Sequence, residues 1–244
     1  MADINEIYKS ATLGDAQAQH QLGNCYYRGN GVIKNEEKAA YWWQKAAEQG
    51  LAAAEYSFGQ CYLYGVGTQK DSVKAMYWLT LAAEQGVVGA QCTVGYRYYL
   101  GDIVAKDYKK AIFWSLKAAE SGNISAQNNL GACYQNGTDD VRDLTKAAYW
   151  YTKAAEQGHA MAQCNLGICY DFGTGVLKDA KKAAYWYGKA AEQGNAQAQY
   201  NLGCCYYDGN GVIKDILKAK ELWRKSAAGG HQRAKEALKK YFGI

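Results

Sequence analysis

Glycine recurs at positions 14, 50, 86, 122, 158, 194 and 230, each 36 residues from the next, so that six complete units lie between them. A period of this size restricts the chain to an architecture in which one supersecondary unit stacks on copies of itself. We number each unit from the residue after its leading glycine. Position 4 is always alanine, position 9 is always glycine (Gly23, Gly59, Gly95, Gly131, Gly167, Gly203) and position 12 is always tyrosine (Tyr26, Tyr62, Tyr98, Tyr134, Tyr170, Tyr206). Position 8 is Leu22, Phe58, Val94, Leu130, Leu166 and Leu202. Spacing by fours predicts one apolar helical stripe. Glycine within it costs about 1 kcal/mol against alanine, and its recurrence predicts that two helix backbones approach closely there.

A turn follows: Gly29-Asn30-Gly31 returns as Gly65-Val66-Gly67, Gly173-Thr174-Gly175 and Gly209-Asn210-Gly211. Units three and four depart, with Gly101-Asp102-Ile103 and Gly137-Thr138-Asp139-Asp140, so their turns are expected to differ in shape. A second helix then carries Lys-Ala at positions 24–25, tryptophan at position 28 (Trp42, Trp78, Trp114, Trp150, Trp186) and alanines at 32–33. Unit six has Leu222 at position 28 and moves its indole to Trp223. Ala at 25, the aromatic at 28 or 29 and Ala at 32 form the second stripe. The closing glycine supplies a C-cap, because glycine reaches the left-handed conformation that ends helices. Lys45 with Glu48, and Lys153 with Glu156, are expected as solvent-side pairs worth a few tenths of a kcal/mol.

One hairpin cannot bury both stripes; stacking the next copy does. The expected fold is all-α, an α/α superhelical solenoid of helix-turn-helix repeats, roughly 50–60 Å long at about 8–10 Å per packed helix. Residues 1–14 form an N-terminal capping helix, and six repeats follow at 15–50, 51–86, 87–122, 123–158, 159–194 and 195–230. Residues 231–244 form a C-terminal capping helix. Residues 3–13 read as a lone second helix and 231–242 as a lone first helix, giving fourteen helices. A content of 49% apolar and 21% charged residues excludes a disordered chain, and the absence of proline beside 27 glycines fits helices stopped by glycine.

The unit A-x-x-x-L-G-x-x-Y-x-x-G-x-G-V-x-x-(D/N)-x-x-K-A-x-x-W-x-x-K-A-A-x-x-G resembles the Sel1-like repeat, a relative of the tetratricopeptide repeat with a longer inter-helix loop. Repeat one carries it as Ala18, Leu22-Gly23, Tyr26, Gly29, Gly31-Val32, Lys38-Ala39, Trp42, Lys45-Ala46-Ala47 and Gly50. The resemblance implies a non-catalytic scaffold that binds a protein or peptide, similar to adaptors in quality-control, signalling and bacterial host-interaction complexes. It also implies that the first helices line a concave groove faced by positions 6, 10 and 13. Position 6 is His20, Tyr56, Cys92, Asn128, Cys164 and Tyr200; position 10 is Asn24, Gln60, Tyr96, Ala132, Ile168 and Cys204; position 13 is Tyr27, Leu63, Tyr99, Gln135, Asp171 and Tyr207. Apart from the cysteines and Ala132, these are the candidate partner-binding residues. They differ between copies and are almost uncharged, and tyrosine, present 22 times in the chain, supplies contact area at low entropy cost.

Other chemistries find little support. Five of the eight cysteines sit at position 11 (Cys25, Cys61, Cys133, Cys169, Cys205), one repeat apart and so beyond the roughly 7 Å reach of a disulfide. No C-x-x-C occurs, so zinc is not expected; Cys164 and Cys204 are the thiols that would face the groove. Cysteine-rich relatives pair cysteines between the two helices of a repeat, and the second helices here have none. The Gly-x-Gly turns lack the strand and third glycine of a dinucleotide site. Some relatives carry a β-lactamase label, which makes a hydrolase or other small-molecule site in the groove the alternative function, but no serine has a lysine three residues on: Ser57 meets Gln60, Ser72 meets Ala75 and Ser115 meets Ala118. Asp139, Asp140 and Asp143 read as a solvated turn rather than a cation loop. Lysine fills position 24 in every copy and a basic residue position 20 (Lys34, Lys70, Lys106, Arg142, Lys178, Lys214), yet the net charge is only +5, so nucleic acid is not expected. No cofactor, metal or membrane insertion is expected, and the chain is read as a monomer. The start Met1-Ala2-Asp3-Ile4-Asn5-Glu6 has no basic residue and no apolar run, so a cytoplasmic location is expected, or a secreted one if a leader precedes it.

Overall fold

The computed structural model of the protein describes residues 3–243. Within them lie fourteen α-helices in two compact units, with the boundary between Asn123 and Ile124. The first unit holds α1 (Ile4–Thr12), α2 (Ala16–Arg28), α3 (Glu36–Ala47), α4 (Ala52–Tyr64), α5 (Ser72–Glu84), α6 (Val88–Leu100) and α7 (Tyr108–Glu120). The second holds α8 (Ile124–Asn136), α9 (Leu144–Glu156), α10 (Ala160–Phe172), α11 (Ala180–Glu192), α12 (Ala196–Asp208), α13 (Ile216–Ala228) and α14 (Gln232–Phe242). Each is an α-solenoid: a helix packs first on its hairpin partner and then on the neighbouring hairpin, α3 on α4 and α5 on α6 in one unit, α9 on α10 and α11 on α12 in the other. No helix among the described residues is long and apolar enough to cross a membrane.

Turn chemistry fixes where each helix begins and ends. First helices stop at a left-handed glycine: Gly29, Gly65, Gly101, Gly173 and Gly209, with φ between 71° and 77°. Second helices start at an Asn or Asp in position 21, whose carboxylate or amide oxygen accepts from the backbone N–H of the position-24 lysine at 2.8–3.0 Å, as in Asn35 with Lys38 and Asp179 with Lys182. Such caps contribute about 0.5–2 kcal/mol each. The same residue's N–H reaches back to the carbonyl of the position-12 tyrosine (Asp215 to Tyr206, 2.9 Å), closing the hairpin. In the Gly-x-Gly turns, a Cβ at Gly67, Gly175 or Gly211 would overlap the carbonyl oxygen of Glu36, Leu144 or Ala180 in the preceding second helix. The second glycine therefore lets backbone meet backbone between repeats. Unit three, with Ile103 at that position, packs this side chain and Val104 on the Met76–Val94 cluster and ties Arg97 to Asp102 at 2.7 Å. Unit four closes its turn with the N–H groups of Val141 and Arg142 on the Thr138 carbonyl.

The core refines the second stripe. Position 25 is a fully buried alanine in every repeat, and position 32 is a fully buried alanine in all but unit six, which has Ser226 there. The most deeply buried of the residues at 28 and 29 is the one at position 29, although Trp114 and Leu222 at position 28 are buried too. Position 29 is Trp43, Leu79, Ser115, Tyr151, Tyr187 and Trp223, and it lies over the position-9 glycine of its own hairpin. A Cβ at Gly131 or Gly167 would stand 2.6 Å from the ring of Tyr151 or Tyr187. The glycine admits a side chain in these repeats; only at Gly59 and Gly95 does the partner backbone itself come within about 3 Å of the added atom, 3.0 Å at Leu79 and 2.9 Å at Ser115. The position-28 tryptophans sit at the seam between repeats, as Trp78 does on the cluster that joins Ala46 and Ala47 of repeat one to Ala54 and Phe58 of repeat two.

The closing pentapeptide has a second use beyond capping. Position-35 glutamines donate to the position-5 side chain of the same repeat: Gln49 to Gln19, Gln157 to Gln127 and Gln193 to Gln163 at 2.7–2.8 Å. The buried position-5 glutamines in turn donate to a position-33 carbonyl of the preceding helix, Gln19 to Ala11 and Gln163 to Ala155 at 3.1 Å. Repeat two substitutes Glu55, which accepts from Gln85 at 2.7 Å. The expected Lys45–Glu48 pair is replaced: Glu48 accepts from Gln44 at 2.7 Å and Lys45 stands 5.9 Å above the Tyr41 ring. Lys153 likewise stands over Tyr149 at 5.6 Å.

Candidate functional site

Positions 6, 10 and 13 lie on the first helices, on the turns that overhang position 29. In the first unit they gather partly. Asn24 accepts from the Trp43 indole N–H at 3.2 Å, and Tyr27, 42% exposed, leans on the same indole with ring centres 5.4 Å apart. With Tyr56 and Gln60 they line a recess of about 210 Å³, edged by Arg28 and Tyr64. Tyr56 hydrogen-bonds Thr93 and Gln60, and burial raises its hydroxyl pKa. His20 stands 3.2 Å from the Ser57 hydroxyl of the next repeat, and burial lowers its pKa, favouring neutral imidazole. Leu63 is absorbed into the Met76–Val94 core. Tyr96 and Tyr99 stack at 6.3 Å, with Arg97 5.8 Å from the Tyr96 ring, so this pair stays at the surface as an aromatic platform.

In the second unit, Ile168, Asp171 and Tyr200 line a recess of about 340 Å³ with Cys204, Asp208 and Arg233. Tyr200 stacks on His231 at 4.8 Å, and burial pushes its hydroxyl pKa up to about 12. Four of the predicted residues also hold neighbouring side chains of the fold. Asn128 is buried, bridging Asn165 at 3.3 Å and the Met161 sulfur at 3.9 Å. Gln135 accepts from the Tyr151 hydroxyl at 2.8 Å, and Asp171 from that of Tyr187 at 3.4 Å. Tyr207 is wedged against Trp223 and Tyr241, with ring centres 5.4 and 4.6 Å away. These four hold the fold at least as much as they present a surface.

The buried thiols are kept protonated by their surroundings. Cys164 is buried rather than facing outward, while Cys204 is half-buried at the recess. Burial pushes Cys61, Cys133, Cys164 and Cys205 up to about 12, far from the thiolate that reacts or binds metal. Among the described residues no group of three or more His, Cys, Asp or Glu side chains is placed to hold a metal ion. Asp143 serves as an N-cap, accepting from the Lys146 N–H at 2.9 Å.

One exposed feature escapes the groove reading. Position 27 is Tyr41, Tyr77, Phe113, Tyr149 and Tyr185, each 51–59% exposed and set edge-on against the neighbouring position-28 tryptophan at 5.0–5.2 Å. Its signal in the sequence is plain, an aromatic before each tryptophan, but such a residue reads as core until its rotation about the helix is known.

The Sel1 repeat family model matches residues 16–51, 52–87, 88–123, 124–159, 160–195 and 196–231. The chain is similar to the crystal structure of c5321, a protective antigen present in uropathogenic Escherichia coli strains displaying an SLR fold: 35% identity, TM-score 0.88, covering 98% of this chain and 52% of that one. The chain thus spans about half the length of that relative. It is also similar to a Sel1 repeat protein from Oxalobacter formigenes, with 36% identity, TM-score 0.78 and coverage of 87% and 85%. The search of curated proteins returned no match.

Proposed function

From the premise that the chain belongs to the Sel1 repeat family, whose members are generally protein–protein interaction scaffolds, we propose that it recruits a protein or peptide partner on the exposed face of its first helices. The observation that carries this reading is the pair of recesses there. Each is built where positions 6, 10 and 13 of successive repeats converge: Asn24, Tyr27, Tyr56 and Gln60 in one unit, Ile168, Asp171 and Tyr200 in the other. Each mixes ring faces with amide or carboxylate groups, the composition of a surface that buries an apolar anchor and hydrogen-bonds a backbone beside it. The different charge at their edges, Arg28 alone in one and Asp171 and Asp208 beside Arg233 in the other, would give the two recesses different preferences. No step of catalysis is assigned to either, and a cytoplasmic, monomeric protein remains part of this reading.

Photocrosslinking tests it. Benzoylphenylalanine at Tyr27 or Tyr96 samples the first-helix face, and at Tyr77 or Tyr149 the second-helix face. In lysate of the source organism, adducts should form at Tyr27 or Tyr96 and be lost when Tyr56 and Gln60 are both changed to alanine in a folded protein. Adducts confined to Tyr77 and Tyr149 would overturn the assignment.

A further inference from the structure

A second hollow, of about 630 Å³, opens on the other side of the second unit, among α11, α12 and α13. Its origin is legible in two departures from the repeat. At position 28, Trp42, Trp78, Trp114 and Trp186 cover the seam between one second helix and the next first helix; Trp186, for example, lies on the Ala154, Ala155, Ala162 and Leu166 cluster. Unit six has Leu222 in that slot, packed on Ala184, Ala198 and Leu202. At position 30, where other repeats carry Gln44, Thr80, Leu116 and Thr152, the opposite wall has Gly188.

The missing indole leaves a measurable gap. Leu202 is 8% exposed, whereas its equivalents Leu22, Phe58, Val94 and Leu166 are 0–2% exposed. Ala191 is half-buried, whereas Ala47, Ala83 and Ala155 are buried. The floor is therefore apolar and wider than a leucine fills, and a volume of this size falls within the range of ligand pockets.

The rim is basic. Lys181, Lys189, Lys218 and Lys225 surround the cleft against Glu192; Lys225 is paired with Glu221 at 2.6 Å, which leaves Lys181, Lys189 and Lys218 as the basic excess. Lys218 is also drawn inward: its ammonium stands 4.3 Å from the Tyr206 ring centre, where the corresponding lysines of the other repeats stand 5.2–5.5 Å away. Four of those repeats pair that lysine with the helix-capping aspartate, as in Lys182 with Asp179 at 3.9 Å.

We propose that this cleft binds an aromatic side chain presented by an acidic peptide segment of a partner. The ring takes the seam position that tryptophan fills in the sister repeats, and the flanking carboxylates meet the lysine rim. The occupant is argued from the molecule itself: all five sister repeats carry tryptophan at this position, and the charge around the vacated slot is positive on balance.

The test is titration calorimetry on the full chain with the peptide acetyl-Glu-Asp-Trp-Glu-Asp-amide. Saturable binding is expected, weakened about tenfold or more when the peptide's Trp is replaced by Ala or its acidic residues by Lys, an affinity difference of about 1.4 kcal/mol or more. Leu222→Trp installs the residue that sister repeats carry and should fold; it is expected to abolish binding, and Gly188→Gln, which narrows the opposite wall with the residue of repeat one, to weaken it comparably. Undiminished binding to both variants would overturn the proposal, as would failure to bind at any concentration up to about 1 mM. Equal affinity for N-acetyltryptophanamide would assign the cleft to a small aromatic molecule, and self-association abolished by Leu222→Trp would assign it to a second copy; either defeats the acidic-peptide assignment.

Discussion

Gly167→Ala and Gly188→Ala are the same chemical change in the interiors of α10 and α11, both at helical backbone angles, and they should move stability in opposite directions. At Gly188 nothing lies within 4 Å of an added Cβ, so alanine gains only its helix propensity, about 1 kcal/mol. At Gly167 the new atom would stand 2.6 Å from Cδ1 and Cε1 of Tyr187, a side chain only 1% exposed. Ordinary carbon contacts lie at about 3.5–4.0 Å, so roughly 1 Å of overlap must be relieved by a ring held on all sides, an overpacking cost of about 1–3 kcal/mol. Propensity is common to both variants, so their difference isolates the packing term. With a urea m-value of about 3 kcal/mol/M, the unfolding midpoints should separate by about 0.3–1 M, with Gly188→Ala above the parent. Gly131→Ala, facing Tyr151 at the same 2.6 Å, should repeat the loss. Equal gains at Gly167 and Gly188 would refute the view that position 9 is glycine in order to seat position 29.

Glu55 is the buried position-5 residue whose pKa burial raises above 4.5, more than the Gln85 hydrogen bond lowers it. The native state therefore keeps this proton to higher pH than the unfolded chain, so Glu55 destabilises increasingly as pH rises from about 4.5 through its raised value. Glu55→Gln should gain about 1 kcal/mol at pH 7 by restoring a donor towards Ala47, the gain vanishing below pH 4.5 in urea titrations. Asp171→Leu should cost about 1–3 kcal/mol by leaving the buried Tyr187 hydroxyl without its acceptor, whereas Asp171→Gln, which copies the Gln135–Tyr151 pair, should cost much less. In the native protein, Cys61, Cys133, Cys164 and Cys205 should resist iodoacetamide at pH 8, because burial holds their pKa near 12; mass spectrometry that finds them alkylated as fast as in urea would contradict that burial.

The helices were legible because period, cap and stripe all point the same way. Asn35 or Asp at position 21, the left-handed Gly29 and its equivalents, and the alanines at 25 and 32 are each sufficient clues to a boundary or a buried face. Less legible was rotation about the second helix. Positions 27, 28 and 29 are aromatic together in Tyr41-Trp42-Trp43 and Tyr149-Trp150-Tyr151, and nothing in such a triplet says which member points inward. The structure buries the third, half-buries the second and exposes the first, because only the third meets glycine across the hairpin. The glutamine ladder was hidden for a different reason. Gln49 and Gln19 stand 30 residues apart, and a polar residue beside a glycine reads as solvent-facing until its partner is brought to it.

In five of the six repeats the variation at position 13 also has a physical order that drift would not produce; unit three, with Tyr99 at 13 and Ser115 at 29, does not follow it. Tyr27 and Tyr207 face the indoles of Trp43 and Trp223; Gln135 and Asp171 accept from the hydroxyls of Tyr151 and Tyr187. Where position 29 is the aliphatic Leu79, position 13 is Leu63. A ring is met by a ring, a hydroxyl by an acceptor and an aliphatic by an aliphatic, so much of what differs between copies there is hairpin matching hairpin. Partner choice must then rest more on position 10, on the exposed Tyr96 platform and on the position-6 residues of the recesses, Tyr56 and Tyr200, than on position 13. The position-28 exception at Leu222 follows the opposite logic. No neighbouring side chain has enlarged to refill its slot, and Gly188 widens it further, so the packing that elsewhere compensates each change has here been left open towards solvent and ringed with lysine.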